Sequence, residues 1–317
     1  MIAGKNTTLK VRKKTGFFFE VRKNWVLFLM LAPTLIFFAI NNYFPMVGIY
    51  YAFTKFSYTG GLFGSPFVGL KNFEFLFVSN TLMNITKNTI LYNLVFIGIG
   101  NISQIVVAIL LYEMAGKLFK KVAQSIMFFP YFVSYVIMSV IVFNLFNFET
   151  GFISTMMKSL ALKPINFYNM PNIWPMLIVL LYMWKWIGYG TVIYLATILG
   201  INREYYEAAE IDGANIFQQI RHITLPQIKP TFIILLLFAL GGIMRGQFEM
   251  FYQIIGNNGV LFPTTDIIDT YVYRSLITNF DIGMGTAAGL YQSVFGFILV
   301  LGINWLVKRR NPEYALF

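Results

Sequence analysis

No cysteine occurs in the 317 residues, and His222 is the one histidine. The first absence removes disulfides, thiolate nucleophiles and cysteine metal sites. The second removes sites built from several imidazoles. Charge is scarce too. Asp, Glu, Lys and Arg make up 12% of the chain and 13 residues are acidic, whereas a soluble domain carries about 25% charged residues. With 57% hydrophobic residues, one soluble core cannot hide the apolar surface, and a membrane chain is the first reading. There is no G-x-x-x-x-G-K-[ST] run to cradle a phosphate and no hydrophilic stretch long enough for an ATPase or a kinase. The apolar runs hold no acid–base or metal cluster, so the chain is expected to be no enzyme and to bind no cofactor or metal itself.

Six runs approach the ~20 apolar residues that a bilayer-crossing helix needs: 25–53, 89–112, 122–148, 173–200, 231–255 and 282–307. The sequence predicts an all-α, polytopic membrane protein. Pro33, Asn41, Asn42 and Pro45 predict that the first run kinks or frays toward its end. Residues 1–24 form a basic segment whose "RKKTGFFFEVRKNW" reads as an interfacial helix, residues 25–307 the six-helix domain, and residues 308–317 a tail. No small-residue cleavage site closes the first apolar run, so a cleaved signal peptide is not expected.

The net charge of +11 would suit nucleic acid were it not for its distribution. Sixteen of the 24 basic residues fall on one side of the six runs: the N-terminus, Lys117, Lys120, Lys121, Arg203, Arg221, Lys229 and the tail from Lys308 to Arg310. The other side has six: Lys55, Lys71, Lys87, Lys158, Lys163 and Arg274. The positive-inside rule places both termini in the cytoplasm. The charge is then a topology signal and an attraction to anionic lipid, with no nucleic-acid partner.

The most polar stretch inside the chain is "EYYEAAEIDGANIFQQIRHITLPQIKP", Glu204 to Pro230, on the cytoplasmic side of that topology. Asn202 is placed to cap a helix starting at Arg203. Glu204 and Glu207 sit at its positive end. Ala208 and Ala209 carry little side chain and allow close approach. Asp212-Gly213 ends the helix with a left-handed residue. A second helix over 214–222 is expected to stop at Leu225-Pro226, with the proline opening the next span. Two short helices with acids on the surface are suited to a groove on another protein.

Glu207-Ala208-Ala209, Gly213, Ile223 and Leu225-Pro226 fill every fixed position of E-A-A-x3-G-x9-I-x-L-P. This resembles the coupling loop of ABC importer permeases. "EAAEIDGANIFQQIRHITLP", with "APTLIFFAINNYFPMVGIYYAF", "FVGLKNF", "MFFPYFVSYVIMSVIVFNLF" and "DTYVYRSLITNFDIGMGTAAGLYQSVFGFILVLGINWLVKR", is similar to the carbohydrate-uptake (maltose-type) branch over nearly the whole chain. Within it, the chain is most similar to the first permease of Gram-positive polysaccharide and complex-glycan importers. The resemblance implies a type I importer fold in the bacterial plasma membrane, a second permease (a heterodimer), a cytoplasmic ATPase dimer that holds ATP and Mg, an extracellular solute-binding lipoprotein and a carbohydrate substrate. It also implies that Glu207 meets a basic residue of the ATPase and that Gly213 supplies the bend.

Charges inside spans are expensive and mark function. Lys185, between Trp184 and Trp186, has two readings: packing or gating, and contact with sugar. Arg245 and Glu249, four apart, are expected on one face of the fifth helix; they either neutralise each other or line a cavity with Gln247. Asn144 and Asn147 are similar substrate-pathway candidates. The cluster 283–289, "GMGTAAG", is expected to permit close helix packing. A permease for another solute is the alternative function. A secondary transporter would need coupling-ion carboxylates within the spans, and Glu249 is the one candidate.

Overall fold

The structure, a computed structural model, describes residues 16–78, 80–310 and 312. The basic stretch before Gly16 and most of the tail lie outside the described residues. The described chain is helical, with a single β-bridge between Thr54 and Phe67. By packing, the residues up to Tyr50 form one unit and those from Tyr51 another.

In the first unit, Phe17–Lys23 is a helix followed by Trp25–Phe38. Where the first span was predicted to kink or fray, the hydrogen-bond register changes. The α-helix passes into a π turn over Ala39–Tyr43 and then a 3-10 segment over Phe44–Phe53. Asn41 Nδ2 donates to the Phe37 carbonyl at 2.9 Å. None of the 18 most apolar residues of this run is buried, the pattern of a helix presented to lipid.

The second unit carries the other spans. Thr81–Glu113 starts eight residues earlier than hydropathy alone indicates. Its first turns are polar, but Asn88 and Thr89 bond to the 263–268 backbone, and tertiary partners hold them helical. At ~1.5 Å per residue its 33 residues exceed the ~30 Å hydrocarbon layer. Pro171–Leu199 packs along it, with Phe96 stacked on Tyr182 at 3.9 Å. Ile282–Arg310 closes the unit. Among the described residues five helices are long and apolar enough to cross a membrane, or six if the bent pair Lys117–Phe132 and Tyr135–Phe146 is one broken span.

Small residues set the spacing, because packing rather than hydrophobic burial drives helix association in lipid. A Cβ on Gly188 would meet the Met127 carbonyl, so the fourth span seats directly on the backbone of the third. Ala287 and Ala288 are fully buried with Leu82, Ile85 and Ile268, and a Cβ on Gly285 would meet Leu276 at 2.7 Å. The 283–289 cluster thus packs closely.

Two expected spans are discontinuous. Pro130 lies in a 3-10 turn, Phe129–Phe132, where the third span bends by 95°. The fifth does not run through to Ile255. It ends at Gly241, and a separate helix, Phe248–Ile255, begins after a turn. Consecutive glycines at 241 and 242, with Gly246 beyond, weaken the helix there.

Candidate functional site: a docking loop and two helix breaks

The first short helix of the loop is Glu204–Ile211, one residue later than expected. Asn202 does not cap Arg203; its Oδ1 accepts from the Glu204 N–H at 3.1 Å. The C-terminal bend is as expected. Gly213 has φ +78°, its N–H donates to Glu210 O at 3.0 Å, and Ala214 N–H donates to Ala209 O at 2.8 Å. These are the two bonds of a Schellman turn, and the left-handed residue at its centre strongly favours glycine.

Asn215 then opens the second helix with a reciprocal capping box. Its side chain accepts from Gln218 N–H at 3.0 Å, and the Gln218 side chain accepts from Asn215 N–H at 2.8 Å. This helix does not stop at Leu225-Pro226. It continues from Ile216 to Gly241 as one rod. A π turn over Ile220–Thr224 sits ahead of Pro226, and Leu225 N–H reaches back to Ile220 O. A proline has no N–H to give and crowds the carbonyl four residues back; the widened turn absorbs both defects. The second half of the loop is therefore continuous with the fifth span.

Tyr206 fastens the first half. It is buried, its hydroxyl is 2.9 Å from that of Thr224, and its ring lies 5.8 Å from Tyr112. Burial pushes its phenol upward, and the Thr224 hydrogen bond partly offsets that. The opposite face is free. Glu207, Ala208, Asp212 and Gly213 are exposed, as are the apolar side chains of Tyr205, Ile211, Ile216 and Phe217, with Ile211 at 86% and Phe217 at 78%. Ala209, Asp212, Gly213, Gln218 and Ile223 help line a concavity of about 340 Å³ between the two helices. Glu207 pairs with Arg203 at 3.3 Å, an exposed pair that a partner's cation can displace at little cost. Leu225 and Pro226 are exposed on the rod.

The second region is the pair of helix breaks. A break inside a membrane frees backbone groups that must find partners within the protein. Lys185 supplies them at the first break. It is buried, and its Nζ donates to the carbonyls of Tyr131, at 2.9 Å, and Val133. The ammonium also lies 4.8 Å from the Tyr135 ring centre, a cation–π contact. Trp186 donates to Tyr135 Oη at 3.1 Å, and Tyr135 donates to Gln247 Oε1 at 3.4 Å. Trp184, 42% exposed, takes no part.

At the second break Asn93 donates to the carbonyls of Ile243, at 2.8 Å, and Arg245, at 3.0 Å. Gln292 donates to Met244 O at 2.7 Å, and Asp269 accepts from Gly246 N–H at 2.7 Å. Burial raises the Asp269 pKa, while the bonds from Gly246 and Gln292 oppose the shift. Asn93, Gln292, Asp269 and Tyr135 were not singled out by sequence reading. The signal available for the first two is an amide within an apolar run.

Arg245 and Glu249 are not on one helical face, because Arg245 lies in the turn before Phe248–Ile255. Among the described residues they form no ion pair with each other. Both are exposed. Asn147 is a turn former: its Oδ1 accepts from the N–H groups of Glu149 and Thr150. Asn144 bonds back to Val140 O at 2.9 Å.

Residues 104–312 match the family described as "Binding-protein-dependent transport system inner membrane component". Protein LplB of Bacillus subtilis (strain 168) is 34% identical over 92% of this chain and 91% of its own length. The polygalacturonan/rhamnogalacturonan transport system permease protein YteP of the same organism is 33% identical over 96% and 94%. Among solved structures, a bacterial ABC transporter involved in the import of the acidic polysaccharide alginate contains a chain 31% identical to this one. The match covers 93% of this chain and 99% of that one, with TM-score 0.83.

Proposed function

The chain belongs to the family of binding-protein-dependent transport system inner membrane components, and from that premise we propose that it is the permease of an ABC importer that moves an oligosaccharide into the cytoplasm. The carrying observation is the continuity of the docking loop with the fifth span. The exposed face of Glu204–Ile211 and the Gly213 turn present a shaped surface, and Ile216–Gly241 is one rigid helix. A motor that grips the loop therefore moves the span directly. The chain has no phosphate cradle, so ATP and Mg belong to a separate ATPase dimer, and this chain is not an enzyme.

The remaining partners are a second permease that completes the pore and an extracellular binding protein that delivers substrate. One solved relative is an alginate transporter in complex with an alginate pentasaccharide-bound periplasmic protein. Both termini of this chain face the cytoplasm, as the basic residues indicate. Alternating access then amounts to the loop's displacement being carried along the rod to the break at 242–247, which is linked to the break in the third span through Tyr135 and Gln247.

The test uses the assembled transporter in proteoliposomes with its binding protein. Glu207→Lys and Gly213→Glu are expected to abolish most of the ATP hydrolysis stimulated by loaded binding protein, with sugar uptake falling in parallel and the permease still folded by thermal unfolding. Wild-type rates in both variants would overturn the coupling assignment. Uptake of a non-carbohydrate solute in place of sugars would leave the importer reading and replace the substrate.

A further inference from the structure

A groove runs between Thr81–Glu113 and the rod that carries the docking loop. One wall is the stripe Ile102, Ile105, Val106 and Ile109 of the first helix. The other includes Leu225, Ile228 and Phe232 of Ile216–Gly241. Residues three and four apart share a helix face, which is why each set forms a wall. The groove encloses about 770 Å³, a volume typical of ligand sites. Ile102 and Val106 are exposed along it. Two cations stand in the same lining, Arg221 and Lys229, and no carboxylate does. Neither cation's side chain makes a hydrogen bond or ion pair among the described residues. Lys229 lies just ahead of the apolar run 231–255, and Arg221 lies earlier still, on the polar side. The groove is therefore basic toward the docking loop, and Ile102 and Phe232 continue it into the apolar spans.

We propose that this groove holds one anionic phospholipid of the cytoplasmic leaflet, with its phosphate between Arg221 and Lys229 and an acyl chain along the Ile102–Ile109 stripe. The leaflet follows from the topology proposed above. From Ile102 to Ile109 the helix rises about 10 Å, roughly two thirds of one leaflet's hydrocarbon depth. Basic pockets between spanning helices on the cytoplasmic side suit anionic headgroups. The Arg221 guanidinium offers a fork to phosphate oxygens. Lys229 lays its apolar stem along the groove while its ammonium reaches the headgroup. An apolar helix of a second permease seated in the groove would cover the stripe and leave both cations unpaired, which is costly. The charges therefore favour lipid over protein as the occupant.

The experiment takes the complete transporter, stripped of lipid in a neutral detergent. Bound lipid is counted by native mass spectrometry during titration with phosphatidylglycerol or with phosphatidylcholine of the same chains. Wild type is expected to show one site that prefers phosphatidylglycerol by about 25-fold, about fivefold for each cation. The double variant Arg221→Gln, Lys229→Gln loses that preference. Lys117→Gln, which removes an exposed cation outside the groove, keeps it. Val106→Trp fills the groove, leaves both cations and weakens both lipids. Should the double variant fail to assemble, the wild-type preference must still shrink as salt rises. Equal affinities in wild type, a preference that survives the double variant, or one indifferent to salt overturns the site. Displacement of the lipid by glycerol 3-phosphate as readily as by phosphatidylglycerol makes this a soluble-anion site and overturns the proposal. Loss of the second permease, rather than of lipid, in Val106→Trp makes the groove a protein interface and also overturns it. The importer reading stands or falls separately, on the docking-loop variants.

Discussion

Lys185 shows how one side chain can decide a local structure. The carbonyls of Tyr131 and Val133 lie at the 95° bend, and the buried ammonium takes both. Lys185→Met keeps the length and removes the donor, leaving two acceptors unpaired. The expected loss is about 1–3 kcal/mol of permease stability, read as a lower midpoint in thermal unfolding in detergent. An unchanged midpoint would show that water or lipid replaces the ammonium. Asn93→Leu is expected to act similarly at the other break, with the turn at 242–247 becoming sensitive to protease. Of the intramembrane charges, Lys185 is thus bound to backbone, whereas Arg245 and Glu249 stand exposed. In the sequence all three are charges inside apolar runs, which conceals the difference.

The elements raise a different question, that of where a helix is allowed to stop. Leu225-Pro226 looks like a terminator, yet the π turn at Ile220–Thr224 carries the helix past it. Gly241-Gly242 looks like tolerated flexibility inside a span, yet the helix ends there. In both places tertiary partners override local preference. The close seat of the fourth span on the third gives an expectation of its own. A Cβ at Gly188 would overlap the Met127 carbonyl, so Gly188→Leu must push the spans apart. The measured outcome should be lost assembly with the partner permease or a permease recovered as aggregate. At Gly213, by contrast, there is open space around the Cβ position and the penalty is conformational. Gly213→Ala should cost about 1–2 kcal/mol locally, with transport reduced more than the thermal midpoint is lowered.

For the whole molecule, the absence of cysteine is an experimental convenience. Single cysteines can be placed without first removing others. The proposed topology, with both termini inside, predicts that a membrane-impermeant maleimide labels Lys163→Cys in intact cells and Asp212→Cys only after permeabilisation. Labelling of both in intact cells would reverse or break the assigned topology. Most of the architecture was legible beforehand because lipid imposes a length and an apolar composition on every crossing helix. The bend within 207–226 was legible because a polar, glycine-punctuated stretch stands out between apolar runs, which leaves residues such as Glu207 and Gly213 in plain view.

That this is a many-spanning helical chain, and which residues form the bend of its polar loop, could be read from the sequence alone. Those properties follow from local rules: apolar run length, charge asymmetry, and the left-handed conformation that glycine adopts freely. That two spans are broken, and that Lys185, Asn93 and Gln292 hold the breaks, emerges only from the three-dimensional packing. The reason is that a backbone carbonyl freed inside a membrane must be paired, and its donor can come from any helix near it in space. Lys185 reaches Tyr131 from 54 residues away and Asn93 reaches Arg245 from 152, distances along the chain that no local pattern encodes.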